Sequence, residues 1–208
     1  HVALLAKKVG APVKMIYDRS EDVAATTKRH PCLVKHRLGV NAQGDIVAAD
    51  VDITFDGGAY VTLSPGVLSR GVLHSIGPYK CPTLRVVGRM VATNTPPHGA
   101  YRGFGAPQTT FAYERQMDKA AGILGMDPVA FRLRNRLNLG DETATGQILK
   151  NSVASEKVVQ EVLAQAEKPA PDDICMPKVV EDVKRGRGFA LYYHGAGFTG
   201  SGEDRLKG

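Results

Sequence analysis

Three prolines and three glycines fall within the thirteen residues Pro96 to Gln108, PPHGAYRGFGAPQ, so neither a regular helix nor a central strand can run through them. Pro96, Pro97 and Pro107 withhold backbone donors, whereas Gly99, Gly103 and Gly105 permit positive φ and close approach of another body. Arg102 and Phe104 stand in this loop among residues of little bulk, and the loop presents amide N–H groups. A surface turn explains such glycines as well as a binding loop does, so the rest of the chain has to decide between them.

Upstream, Val2, Leu5, Ala6 and Val9 recur at helical spacing until Gly10 and Pro12, after which VKMIY reads as a strand. SEDVAATTKRHP suggests a short helix or turn capped by Ser20. CLVKHRLGV, the turn NAQGD and the long apolar-alternating run IVAADVDITFDGGAY read as a β-hairpin. A weak helix with Ser64 as N-cap and Pro65 at its first position carries Arg70, and LRVVGRMVATN is a strand that delivers the chain to the loop.

Downstream, Tyr113, Met117, Ala120, Ala121 and Leu124 form the stripe of a long amphipathic helix ended by Gly125. Asp127 and Pro128 open the next helix, SEKVVQEVLAQAE is another, KPAPDDICMPK is a linker, and GRGFALYYHGAGF is a final strand. The expected fold class is α+β, a mixed or antiparallel sheet with packed helices.

Composition narrows the function. The net charge of +6 comes from dispersed Lys and Arg rather than a basic run, which fits a solvated surface better than a nucleic-acid footprint. Cys32, Cys81 and Cys175 are far apart and lack C-x-x-C spacing, so neither a disulfide framework nor a zinc or iron–sulfur site is expected, and reduced thiols fit a cytoplasmic protein. No apolar run reaches about eighteen residues, and no leader pattern opens the chain, so no membrane partner is expected. His1, in place of Met, lies inside a helical pattern, as in a piece of a longer protein.

Other constellations are weaker. GAGFTG, Gly195–Gly200, matches the dinucleotide spacing after an expected strand, but it needs a helix at its third glycine and an acidic residue about twenty positions on. It leaves a nicotinamide-dependent dehydrogenase as one alternative; a non-catalytic basic binding or scaffold module is the other. The six histidines show no metal-ligand spacing, and no G-x-S-x-G nucleophile motif exists, so no catalytic or metal-ligating residue is assigned. Asp50, Asp52 and Asp56 share a strand face, as a solvated face or a carboxylate pair would. The residues alone lead as far as binding loops for an aromatic or phosphate-bearing ligand: Arg102, Phe104, Arg70, Phe198 and Thr199.

TNTPPHGAYRGFGAPQ resembles the cofactor-loop segment of the molybdenum hydroxylases, the xanthine dehydrogenase and aldehyde oxidase family. GAPVKMIYDRSEDVAATTKRHP and GMDPVAFRLRN are similar to family stretches at consistent spacing over most of residues 1–140, and GRGFALYYHGAGFTG, beyond the variable stretch 140–185, is similar to a later family segment. Tyr101 stands where the family usually has Phe, and Ala106 where Gly is common.

The resemblance implies a molybdopterin cofactor holding molybdenum through its dithiolene, and oxidation of a purine, N-heterocycle or aldehyde carbon with water as oxygen source. It implies that Tyr101, Arg102 and Gly103 lie against the cofactor and that Phe104 stacks on the substrate. Arg70 would reach a substrate oxygen, Leu63 would line the funnel, and Phe198 with Thr199 would close its far side. Arg70 favours the xanthine dehydrogenase branch.

The resemblance further implies iron–sulfur clusters and FAD on partner chains or domains, and a general base outside these 208 residues, so that the piece alone would not turn over substrate. Residues 1–139 would be most of a first molybdopterin-binding domain without its N-terminal loop, 140–185 a variable helix and linker, and 186–208 the start of a second such domain.

Overall fold

The computed structural model describes residues 1–166 and 187–195. Their elements run α1 (Val2–Val9), α2 (Arg19–Ala25), β1 (Lys28–Arg29), β2 (Cys32–Val40), β3 (Ile46–Gly58), α3 (Ser64–Leu73), β4 (Thr83–Ala92), β5 (His98–Gly99), α4 (Ala106–Leu124), α5 (Pro128–Asn135) and α6 (Ser155–Ala166). This is an α+β arrangement, and its three-stranded sheet has the order β2-β3-β4. β2 pairs antiparallel with β3 as the hairpin pattern requires, whereas β4 returns parallel to β3 through α3, so the sheet is mixed.

The period of two along β3 sets the layers. Ala49, Val51, Ile53 and Phe55 are buried and pack with Val67 and Ile76 in one core cluster. The intervening Asp50 meets Arg37 and Arg85, each at 2.6 Å, and Asp52 meets Arg89. Those carboxylates therefore serve a solvated, cross-strand ion-paired face and not acid/base chemistry. A second cluster gathers the α4 stripe, Tyr113, Met117, Ala120 and Ala121, with Tyr79, Phe131, Val159 and Leu191.

Several local expectations are corrected. VKMIY forms no strand; Met15, Ile16 and Tyr17 are exposed, and the segment pairs with neither described sheet. The cap of α2 is Asp18, not Ser20, because the Asp18 carboxylate accepts from Glu21 N–H at 2.8 Å while Glu21 reaches back to Asp18 N–H. Leu63 occupies the N-cap position of α3, and Ser64 is buried with its hydroxyl 2.8 Å from His30 Nε2. Asp127 caps α5 as its sequence implies, accepting from Val129 and Ala130. The final strand is also absent over 187–195, where that segment makes backbone bonds to side chains instead of to a sheet. The linker and Cys175 lie outside the described residues.

Candidate functional site

The loop before α4 is built on three consecutive positive φ angles, at Gly103 (92°), Phe104 (52°) and Gly105 (96°). A Cβ at Gly105 would sit 2.1 Å from the Val67 carbonyl oxygen, so α3 touches the loop main chain directly. Phe104 is the only non-glycine residue with positive φ among the described residues, and its half-buried ring packs against the cluster around Val67. Such a conformation costs about 1–3 kcal/mol and persists where its surroundings over-determine it. Here Phe104 N–H donates to Tyr101 O at 2.8 Å, and Ala106 N–H to Gly103 O at 3.1 Å.

Arg29, from β1, pins the loop from outside. Its guanidinium lies 4.5 Å from the Tyr101 ring centroid, and Nη2 donates to Arg102 O at 2.7 Å. With the carbonyl taken, the amides of Arg102 and Gly103 have no acceptor among the described residues. Beside them opens a cleft of about 630 Å³. Arg102, Gly103 and the first turns of α4 at Ala106 and Thr110 form one wall, and Tyr192 and His194 of the strap 187–195 form the other.

The strap is fastened by residues that local pattern does not reveal. Leu191 N–H donates to Glu114 Oε2 at 3.0 Å, and the same buried carboxylate accepts from Tyr79 Oη at 2.6 Å and Arg132 Nε at 2.9 Å. His194 Nε2 lies 3.3 Å from Gly103 O, joining strap to loop. Gly195 N–H donates to His74 Nε2 at 3.1 Å, and Gly195 O accepts from Arg70 Nη1 at 3.1 Å.

The residues expected from sequence therefore fall into groups. Arg102 and Gly103 line the cleft, and Tyr101, 57% exposed, stands beside them. Arg70 is buried at 5% exposure beneath Gly195, and through His194 it is linked to the same loop. Leu63 begins α3, seven residues before Arg70 and therefore ~10 Å away along the axis. Phe198 and Thr199 lie outside the described residues. Glu114, His74, Tyr192, His194 and Arg29 were not singled out from sequence; the two strap residues sit in a segment that reads as strand, and the others bond to residues far along the chain. GAGFTG lacks its dinucleotide context as far as the described residues go, because 187–195 leads into Gly195 without a strand.

A molybdopterin is a flat, hydrogen-bonding pterin with a phosphate tail, and it needs bare main chain with free amides more than side-chain ligands. The cleft meets that need through the two amides that stand available at Arg102 and Gly103. Among the described residues no group of three or more His, Cys, Asp or Glu side chains is placed to hold a metal ion directly. Nor is any helix there long and apolar enough to cross a membrane.

Comparison with known proteins bears on the same site. The family model described as molybdopterin cofactor-binding domain matches residues 1–136. The nicotinate dehydrogenase large molybdopterin subunit of Eubacterium barkeri is 39% identical over 166 residues, which cover 80% of this chain and 39% of that protein. A probable xanthine dehydrogenase subunit of Bacillus subtilis is 36% identical over 200 residues, covering 95% of this chain and 26% of the relative. Among solved structures, the aldehyde oxidoreductase from Desulfovibrio gigas superposes with a TM-score of 0.71 at 32% identity, over 79% of this chain and 18% of that one. The chain thus spans well under half the length of each of these proteins. A family match over the segment that builds the loop and α4 wall of this cleft leads to one conclusion: the chain belongs to the molybdopterin cofactor-binding domain family.

Proposed function

We propose that this chain is part of the catalytic subunit of a molybdenum-dependent hydroxylase that oxidises a purine, N-heterocycle or aldehyde at carbon. The observation that carries the reading is the cleft beside Arg102 and Gly103, walled by the loop and the first turns of α4 on one side and by the strap on the other. The names of the relatives, nicotinate dehydrogenase, xanthine dehydrogenase and aldehyde oxidoreductase, support the substrate range. When bound, the molybdenum cofactor supplies the oxidising centre that accepts two electrons from the substrate carbon while water provides the oxygen.

The chain's own work is binding and orientation. The Arg102 and Gly103 amides donate to the cofactor, and Tyr101, held by Arg29, flanks it. Phe104 offers a ring face to a flat substrate, and such a contact orients an aromatic without demanding its identity. Arg70 donates to a substrate oxygen or carboxylate and Leu63 lines the approach; Phe198 and Thr199, which lie outside the described residues, are assigned to the substrate by the family resemblance alone. Residues 1–139 constitute most of one cofactor-binding domain and residues 186–208 begin another, with the variable stretch 140–185 between. Partner chains or domains bearing iron–sulfur clusters and FAD would take up the electrons.

The test is the metal content of the full-length protein produced in a host that makes the cofactor. We expect about one molybdenum per subunit, as one built cleft would hold, and loss of most of it in Gly103→Val, whose side chain has no room. A metal-free wild type, or a Gly103→Val variant that keeps its molybdenum, would overturn the reading.

A further inference from the structure

Arg70 is joined to its own guanidinium by a closed circuit of hydrogen bonds that runs through His74. The Arg70 carbonyl oxygen lies 2.8 Å from His74 Nδ1. A carbonyl has no proton to give, so Nδ1 carries the hydrogen and donates. In the neutral ring Nε2 is then an acceptor, and it receives Gly195 N–H at 3.1 Å. Gly195 turns its carbonyl to Arg70 Nη1 at 3.1 Å, which completes the circuit.

Both side chains are buried, with His74 at 3% exposure and Arg70 at 5%. Tyr193 and His194 pack on the His74 ring, with centroids 5.3 Å and 5.4 Å away. His74 therefore has one tautomer and one orientation, set by a main-chain acceptor on α3 and a main-chain donor on the strap.

We propose that His74 is the positioning residue that presets the Arg70 guanidinium, and that through it the site prefers substrates bearing a ring oxygen or carboxylate over plain aldehydes. The proposal rests on the reading of Arg70 as the group that meets the substrate. A long arginine loses side-chain entropy when it is held in one rotamer, and the circuit meets that cost before substrate arrives. The strap reaches this pair through both main-chain atoms of Gly195, while Tyr193 and His194 pack on the His74 ring. His74 touches no reacting atom; it acts on Arg70 through the strap.

Two substitutions separate this role from simple packing. His74→Asn keeps an N–H near the Nδ1 position for the Arg70 carbonyl but cannot reach Gly195, whereas His74→Gln places an acceptor near the Nε2 position. In the molybdenum-loaded full-length protein, His74→Asn should raise KM for an oxopurine about tenfold more than KM for a simple aldehyde, the scale of one charge-assisted hydrogen bond. His74→Gln should recover most of that selectivity. Amide exchange at Gly195 should accelerate in His74→Asn and return toward wild type in His74→Gln.

Equal KM changes for the two substrate classes, or unchanged Gly195 exchange in His74→Asn, would overturn the proposal. Arg70→Leu, measured in parallel, keeps the two ideas apart. If Arg70→Leu shows no selective loss, the substrate role of Arg70 fails and the preference falls with it. If Arg70→Leu is selective and His74→Asn is not, only the role of His74 fails.

Discussion

His36 shows how burial alone changes a side chain's chemistry. It sits on β2 with 9% exposure, both ring nitrogens lack a hydrogen-bond partner among the described residues, and burial pushes its pKa down to about 4 from an ordinary 6.5. The folded ring stays neutral where the unfolded ring would take a proton. Stability is therefore intact above about pH 6.5 and is lost as pH falls from there toward 4, by up to ~3 kcal/mol. Urea midpoints of the full-length protein at pH 7.5 and pH 5 should show this drop, and His36→Phe should lessen it. An equal drop in both proteins would assign the acid sensitivity elsewhere. Phe104 makes the complementary point: its positive φ is a local cost that holds an aromatic ring between α3 and the loop, where an unstrained backbone would not put it.

At the scale of elements, α4 does two jobs with one buried face. Its apolar stripe was readable from spacing, and Tyr113, Met117, Ala120 and Ala121 are buried as the period demands. Glu114 sits inside that same buried face and joins α4 to α5 through Arg132, to Tyr79, and to the strap at Leu191 N–H. Arg132 also holds Asp118 at 2.8 Å, with its own side chain 0% exposed. Removing one partner of a buried pair leaves the other charge stranded, so Glu114→Ala should cost about 3–5 kcal/mol. Arg89→Ala, which breaks an ion pair on the solvated face of the sheet, should cost no more than about 1 kcal/mol. Chemical denaturation compares the two, and similar losses would mean that the Glu114 node is not a structural anchor.

Across the whole molecule, the cleft lies between parts that are far apart in sequence, the loop at 102–103 and the strap at 192–194. A ligand seated there binds only the folded arrangement, so stripping the cofactor from the full-length protein should lower its Tm. The effect should be uneven: amide exchange should quicken at residues 102–103 and 192–195 and stay slow in β2, β3 and β4, and uniform loosening would contradict a cofactor wedged between loop and strap. The local features of this fold were open to reading from sequence because their causes are neighbours along the chain. The breakers around Arg102 exclude a regular element, the α4 stripe repeats every turn, and Asp127 caps the amides just after it. The local rule pointed to Ser20 and Ser64 as caps, but the structure places Asp18 and Leu63 at those positions, Ser64 bonding His30 instead of the helix end. The extended segments 13–17 and 187–195 read as strands because β propensity says nothing about whether a pairing edge is present. The cleft itself was decided only by the tertiary structure. Arg29 with Arg102, Glu114 with Leu191, His194 with Gly103 and Arg70 with Gly195 stand 73 to 125 positions apart, and hydrogen bonds at those separations exist only once the core has brought their ends together.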